Sequence, residues 1–142
     1  MGIREAKRDD IEEVSKILLE VVDLHEKERP DIFKAKTLEK IKKDVSKSLI
    51  DKNSKVIVYE EEKILGVIIY KTKMIENNKN LRNAKNLWVD EIGVKEGYKK
   101  HGIGKKLMLY AKEEAKKGNY NRLELNCWSF NENAIEFYKK IG

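Results

Sequence analysis

The stretch VDEIGVKEGYKKHGIGKK, residues 89–106, decides the fold class of this chain. It begins β-rich and ends in an amphipathic pattern, so it predicts a strand, a loop and a helix in that order. Gly102 and Gly104 stand where the loop becomes the helix. Because glycine has no Cβ, the backbone at these positions approaches a ligand closely and adopts positive φ without strain. The N–H groups in the first turn of a helix lack intrahelical partners and form a natural anion site.

Lysines surround the same helix start. Lys99, Lys100 and Lys105 add positive charge to the exposed amides, and the combination predicts a phosphate site, most simply a pyrophosphate. Two known phosphate motifs are excluded. A P-loop requires Lys-Ser/Thr after its second glycine, and a dinucleotide fingerprint requires a further Gly or Ala where Leu107 stands. A plain glycine-eased helix start with a solvated lysine face remains the alternative.

Periodicity outward from this stretch predicts a mixed α/β chain. Alternating or apolar runs predict strands at residues 3–6, 56–59, 64–73, 87–94 and 123–127. Helical spacing predicts a helix capped by Asp9 and Asp10, and further helices over 37–49, over 103–117 and near the end of the chain. The polar stretch 77–86 has no periodicity and is expected to be a loop. No repeat or linker interrupts the pattern, so we expect one domain over residues 1–142.

Composition narrows the function classes. The chain has 142 residues, 40% hydrophobic and 39% charged, which is typical of a globular domain. Its longest apolar run, 64–70, is far below the about 20 residues of a spanning helix, so we expect neither a membrane nor a secreted protein. Cys127 is the single cysteine, which suits a reducing cytoplasm, and the two histidines are not at metal-ligand spacing.

The net charge of +6 is unevenly distributed. Residues 1–33 contain ten acidic and six basic side chains, whereas residues 95–117 contain eight lysines and three glutamates. The surplus raises the alternative of a nucleic-acid-binding module. Against it, the chain shows no helix-turn-helix signature, arginine cluster or basic strand interleaved with aromatic residues.

Residues 98–105 resemble the acyl-CoA-binding motif of the Gcn5-related N-acetyltransferase (GNAT) family, Arg/Gln-x-x-Gly-x-Gly/Ala. The strand 90–94 and the segment 131–142 resemble two further hallmark segments, in the same order and spacing. Lys99 replaces the usual Arg or Gln, and the chain stops at Gly142, where the family continues with Phe and two strands. The implied fold class is α/β (α+β), with a mixed, mostly antiparallel sheet that is flanked by helices. The sheet is expected to end before the last two strands of the family.

The resemblance implies an N-acetyltransferase that moves the acetyl group of acetyl-CoA to a primary amine by direct attack in a ternary complex. The implied enzyme is cytoplasmic, takes acetyl-CoA and an amine acceptor, and uses no metal, nucleic acid or membrane; a homodimer is left open. A non-catalytic acyl-CoA sensor is the alternative within the family. The acidic balance of residues 1–33 favours a cationic amine as acceptor.

The resemblance also implies residue roles for the cosubstrate. The backbone of Ile92, Gly93 and Val94 pairs with pantetheine, and Asn131 either contacts CoA or caps the last helix. The pyrophosphate is placed over the residues of the loop and helix start, namely Lys99, Lys100, His101, Gly102, Ile103, Gly104 and Lys105.

The implied catalytic residues are Tyr138 and Glu91. Tyr138 takes the family's general-acid position, since a phenol of pKa about 10 protonates a leaving thiolate; an ordinary core tyrosine is the alternative. Glu91 is the preferred base or else an edge carboxylate in a salt bridge, and alternation turns Asp90 to the other face. His25, Glu28 and Asp31 follow the first predicted helix and either line the acceptor pocket or form a polar loop.

Overall fold

The computed structural model describes residues 2–28, 37–75, 84–98, 102–120 and 122–125. The elements are β1 Gly2–Glu5, α1 Ile11–Glu28, α2 Leu38–Ile50, β2 Ser54–Glu61, β3 Lys63–Ile75, β4 Ala84–Val94, α3 Ile103–Lys117 and β5 Arg122–Leu125, with a short 3-10 turn at Arg8–Asp10. The predicted α/β class is confirmed, and the described helices and strands follow the expected order; the helix predicted near the end of the chain lies outside the described residues.

The described strands form one sheet in the order β1-β2-β3-β4-β5. The first three pairings are antiparallel, and β4 pairs with β5 in parallel, which requires the crossover through α3. The mostly antiparallel sheet flanked by helices therefore agrees with the predicted fold. β5 lies beside β4 because α3 carries the chain across the face of the sheet.

Two apolar clusters cover the two faces of the sheet. The α3 cluster joins one face to Leu107, Met108 and Ala111 of helix α3, which are almost completely buried. The α1–α2 cluster joins the other face to residues such as Val14 and Val45. Strand alternation sends neighbouring strand residues to opposite clusters, which is why the central strands are apolar along most of their length.

The two largest differences from the predicted element boundaries lie in β4 and α1. β4 begins at Ala84, so residues 84–86 belong to a strand where we expected a loop. Asn86 is buried and pairs with Lys73 of β3, which shows that pairing with a neighbouring strand overrides its low strand propensity. Helix α1 continues to Glu28, which places His25 and Glu28 inside the helix and not after it.

A charge cluster holds β1 to the start of α1. The Arg4 guanidinium lies 2.8 Å from Asp10 Oδ2 and 3.0 Å from Glu60 Oε1 on β2. Asp10 also accepts the backbone N–H of Lys7 at 2.7 Å, so this predicted cap reaches back toward β1. The guanidinium lowers the pKa of the Asp10 and Glu60 carboxyls.

Candidate functional site

Strand β4 has one residue more than β3 in the middle of their pairing. Tyr70 is opposite Val89 and Ile69 is opposite Glu91, so among the described pairs Asp90 is left without a Cα partner. Val89 packs in the α3 cluster, whereas Ile69 belongs to the α1–α2 cluster. Because paired residues share a face, this β-bulge turns Glu91 toward the α1 face. Simple alternation would put Val89 and Glu91 on the same face and does not hold across the bulge, while the direction of Asp90 stays a prediction.

Beyond the bulge, β4 lies in close contact with α1. A Cβ added at Gly93 would lie 2.9 Å from Val21 Cγ2 and 3.2 Å from Ile17 Cγ2. Contacts below 3.0 Å are essentially never made by real Cβ atoms, so a side chain at position 93 would force α1 or its side chains to shift. The close approach of α1 thus favours glycine at position 93. The predicted contact of Gly93 with a cosubstrate involves only its backbone and stays a prediction.

The main chain of Ile92 and Val94 points away from β3. Lys95 donates its N–H to the carbonyl oxygen of Leu65 at 2.8 Å. In an antiparallel ladder alternate residues bond to the same neighbour, so the peptide groups of Ile92 and Val94 face the other side. In the described residues, β5 pairs with β4 only as far as Val89. The end of β4 therefore presents outward peptide groups with no described strand beside them.

Helix α3 begins with N–H groups that have no intrahelical partner. Gly102, its N-cap, has φ 77° and ψ 9°, a left-handed conformation that favours glycine. Its carbonyl accepts the N–H of Lys106 at 3.0 Å, so the N–H groups of Ile103, Gly104 and Lys105 precede the first intrahelical bond. No described side chain caps these groups. Together with the helix dipole and the exposed Lys105, they form a site suited to an anion.

Gly66 of β3 brings these two features together. It is the Cα partner of Val94, at the open end of β4. A Cβ on Gly66 would lie 2.7 Å from Ile103 Cγ2 and 3.1 Å from Leu107 Cδ1, so the first turn of α3 rests directly on this glycine. The sequence contains a signal for this contact, because an isolated glycine in an apolar strand marks close backbone approach.

The structure places part of the predicted site. Glu91, Ile92, Gly93 and Val94 lie along the end of β4, and Gly102, Ile103, Gly104 and Lys105 form the start of α3. His25 and Glu28 lie in α1 with side chains outside the described part. The remaining predicted site residues lie wholly outside the described residues: Asp31, Lys99, Lys100, His101, Asn131 and Tyr138.

Two kinds of feature are absent from the described ranges. No group of three or more His, Cys, Asp or Glu side chains there is arranged to hold a metal ion. No helix in those ranges has the length and apolar character needed to cross a bilayer.

Comparison with known proteins agrees with the fold described above. A model of the acetyltransferase (GNAT) family matches residues 18–142. A mutant of the BH1408 protein from Bacillus halodurans aligns with a TM-score of 0.95 at 26% identity, over 100% of this chain and 92% of that chain. A possible acetyltransferase from Clostridium difficile 630 aligns with a TM-score of 0.81 at 26% identity, over 98% and 87%.

A third structure is similar in fold alone. An aminoglycoside acetyltransferase from an uncultured soil metagenomic sample, crystallised with trehalose, aligns with a TM-score of 0.71 at 17% identity. The alignment covers 98% of this chain and 85% of that chain. The shared fold therefore extends over nearly the whole of both chains.

Proposed function

This chain belongs to the acetyltransferase (GNAT) family, and we propose that it transfers the acetyl group of acetyl-CoA to a primary amine. The observation that carries the proposal is that Gly66 brings the outward peptide groups of β4 next to the uncapped first-turn N–H groups of α3. The two features suit two parts of one ligand. An amide-containing pantetheine arm pairs with a strand edge, and a pyrophosphate binds a helix N-terminus.

The residues present fit acetyl-CoA as a cosubstrate. The peptide groups of Ile92 and Val94 are available as donors and acceptors for the pantetheine amides, and the first-turn N–H groups of α3 donate hydrogen bonds to the phosphate oxygens. Lys105 is exposed beside them and adds a positive charge. The proposed roles of Lys99, Lys100, His101 and Asn131 toward the same ligand extend this arrangement.

We assign the base role to Glu91. Its carboxylate lies on the α1 face of β4, and α1 ends with His25 and Glu28, two of the residues proposed to bind the acceptor. An amine that enters from this side loses its proton to Glu91, directly or through water, and its nitrogen attacks the thioester carbonyl carbon. The outward N–H of Val94 is proposed to polarise that carbonyl.

The leaving group also requires a proton. As the new C–N bond forms, the C–S bond breaks and the thiolate of CoA departs. Tyr138 is proposed to donate its phenolic proton to that thiolate, whose basicity is similar. The attacking nitrogen loses its second proton, which restores the Tyr138 phenol directly or through water. The products are an acetylated amine and CoA, formed by direct attack in a ternary complex without an acyl-enzyme.

The acceptor class is proposed from charge. The acidic excess of residues 1–33, which include α1, favours a cationic amine of a small molecule or a protein, and His25, Glu28 and Asp31 are proposed to contact it. We further propose that the enzyme is cytoplasmic and that its reaction requires no metal, nucleic acid or membrane. Whether it forms a homodimer is left open.

A coupled CoA-release assay tests the proposal. The acceptor panel includes a polyamine, a lysine peptide, a peptide with a free α-amine and an aminoglycoside. We expect enzyme-dependent release with at least one acceptor and acetyl-CoA binding by calorimetry. Binding without release across the panel would favour an acyl-CoA sensor, and absence of binding would contradict the proposal.

A further inference from the structure

The turn from Lys95 to Tyr98 joins the open end of β4 to the segment before α3. Its first residue is anchored to β3, since Lys95 donates to Leu65 at 2.8 Å. The turn closes on itself where Tyr98 donates its N–H to the carbonyl oxygen of Lys95 at 3.0 Å, and Gly97 supplies a positive φ of 91°. Neither contact ties the turn to a helix.

Helix α1 provides that connection through Glu20. Its Oε2 accepts the backbone N–H of Glu96 at 2.9 Å, a charge-assisted hydrogen bond across 76 residues of sequence. Glu20 precedes Val21, which lies over Gly93, so the helix is fixed on β4 beside the turn. On the opposite side, Lys63 Nζ lies 5.3 Å from the centroid of the Tyr98 ring.

We propose that Glu20 is a positioning residue for acetyl-CoA binding. Glu96 lies two residues after Val94 and six before Gly102, so a shift of this peptide moves both parts of the site. Glu20 holds the peptide from α1 without touching the cosubstrate. This inference rests on the proposed function and names a residue on the acceptor-side helix that sets the affinity of the cosubstrate site.

Three variants test the inference by calorimetry with acetyl-CoA. Glu20→Ala removes the acceptor oxygen, and we expect Kd to rise about five- to tenfold, equivalent to about 1–1.4 kcal/mol. Glu20→Gln keeps an acceptor oxygen without the charge and should restore Kd to within about twofold of wild type. Glu13→Ala is the matched control on the same helix, since Glu13 forms an exposed ion pair with Lys16 at 3.7 Å.

Amide hydrogen exchange of Glu96 gives a readout that needs no ligand. It should accelerate in Glu20→Ala and stay near wild type in Glu20→Gln. An unchanged Kd in Glu20→Ala, even with a lower Tm, would overturn the inference, as would a Glu20→Gln variant as weak as Glu20→Ala. A wild-type protein that fails to bind acetyl-CoA would contradict the proposed function itself, and the exchange data would still show whether Glu20 holds the turn.

Discussion

Replacing Gly66 with alanine is expected to lift the first turn of α3 off the sheet. The new Cβ would lie 2.7 Å from Cγ2 of Ile103 and 3.1 Å from Cδ1 of Leu107. Both side chains are buried in the α3 cluster, with relative exposures of 3% and 0%. They have little room to rotate away, so the backbone of the helix or the strand must move.

The size of the effect follows from two opposing contributions. Overpacking a core costs about 1–3 kcal/mol. Replacing glycine in a conformation open to alanine recovers about 0.4–1 kcal/mol, because the unfolded chain loses freedom. The free energy of unfolding should therefore fall by about 1–2 kcal/mol. At a slope of about 2 kcal/mol per molar, the urea midpoint falls by about 0.5–1 M.

Urea unfolding followed by circular dichroism measures this change, and a second substitution tests its cause. Ile103→Ala removes the Cγ2 atom that the new Cβ meets, at its own cost of about 2–5 kcal/mol. In that background Gly66→Ala should cost at least about 1 kcal/mol less than in wild type. Equal costs within about 0.5 kcal/mol, or no loss of stability in Gly66→Ala, would refute the reasoning.

Three further outcomes are expected. Tyr138→Phe should lower kcat about 10²–10⁴-fold in a CoA-release assay, because the ring stays and the acidic proton is lost; a change below about threefold contradicts the acid role. Glu91→Gln should lower kcat by a similar factor with acetyl-CoA affinity unchanged in calorimetry, and the deficit should shrink at higher pH, where more acceptor amine is neutral; a pH-independent deficit contradicts the base role. Because Arg4 lowers the pKa of Asp10 and Glu60 below their ordinary 3.8 and 4.5, their contribution to stability is present above those values and is lost as pH falls through the lower folded ones. Urea unfolding at neutral pH and at about pH 3 should therefore show a larger loss in wild type than in Arg4→Ala, and equal losses would contradict the cluster's role.

Much of the secondary structure was predictable because its signals are local. Helix α3 runs from Ile103 to Lys117 as predicted, and Leu107, Met108, Ala111 and Ala115 form its buried face at helical spacing. Helix α2 begins one residue after Thr37, whose hydroxyl accepts the N–H of Lys40 at 3.2 Å. A 3.6-residue period and a capping side chain both act within one or two turns, so they can be recognised in the sequence.

The errors in the sequence-based prediction occur where contacts between residues far apart in the chain determine the local structure. Residues 84–86 are polar, and only pairing with β3 makes them a strand. The bulge at Asp90 depends on how β3 and β4 align, which no local pattern of β4 specifies. Glu20 has no sequence signal at all, since its partner is the peptide N–H of Glu96, 76 residues away.

By itself, the sequence determined the order of strands and helices, the glycine-rich helix start and the GNAT resemblance, which the family match over residues 18–142 confirms. Only the tertiary structure decided that Glu91 faces α1, that the outward edge of β4 lies beside the first turn of α3, and that Gly66 and Gly93 set how closely the helices approach. Periodicity and glycine spacing are properties of neighbouring residues. Register and helix-to-sheet distance arise when segments far apart in the chain pack together, and these distances shape the proposed acetyl-CoA site.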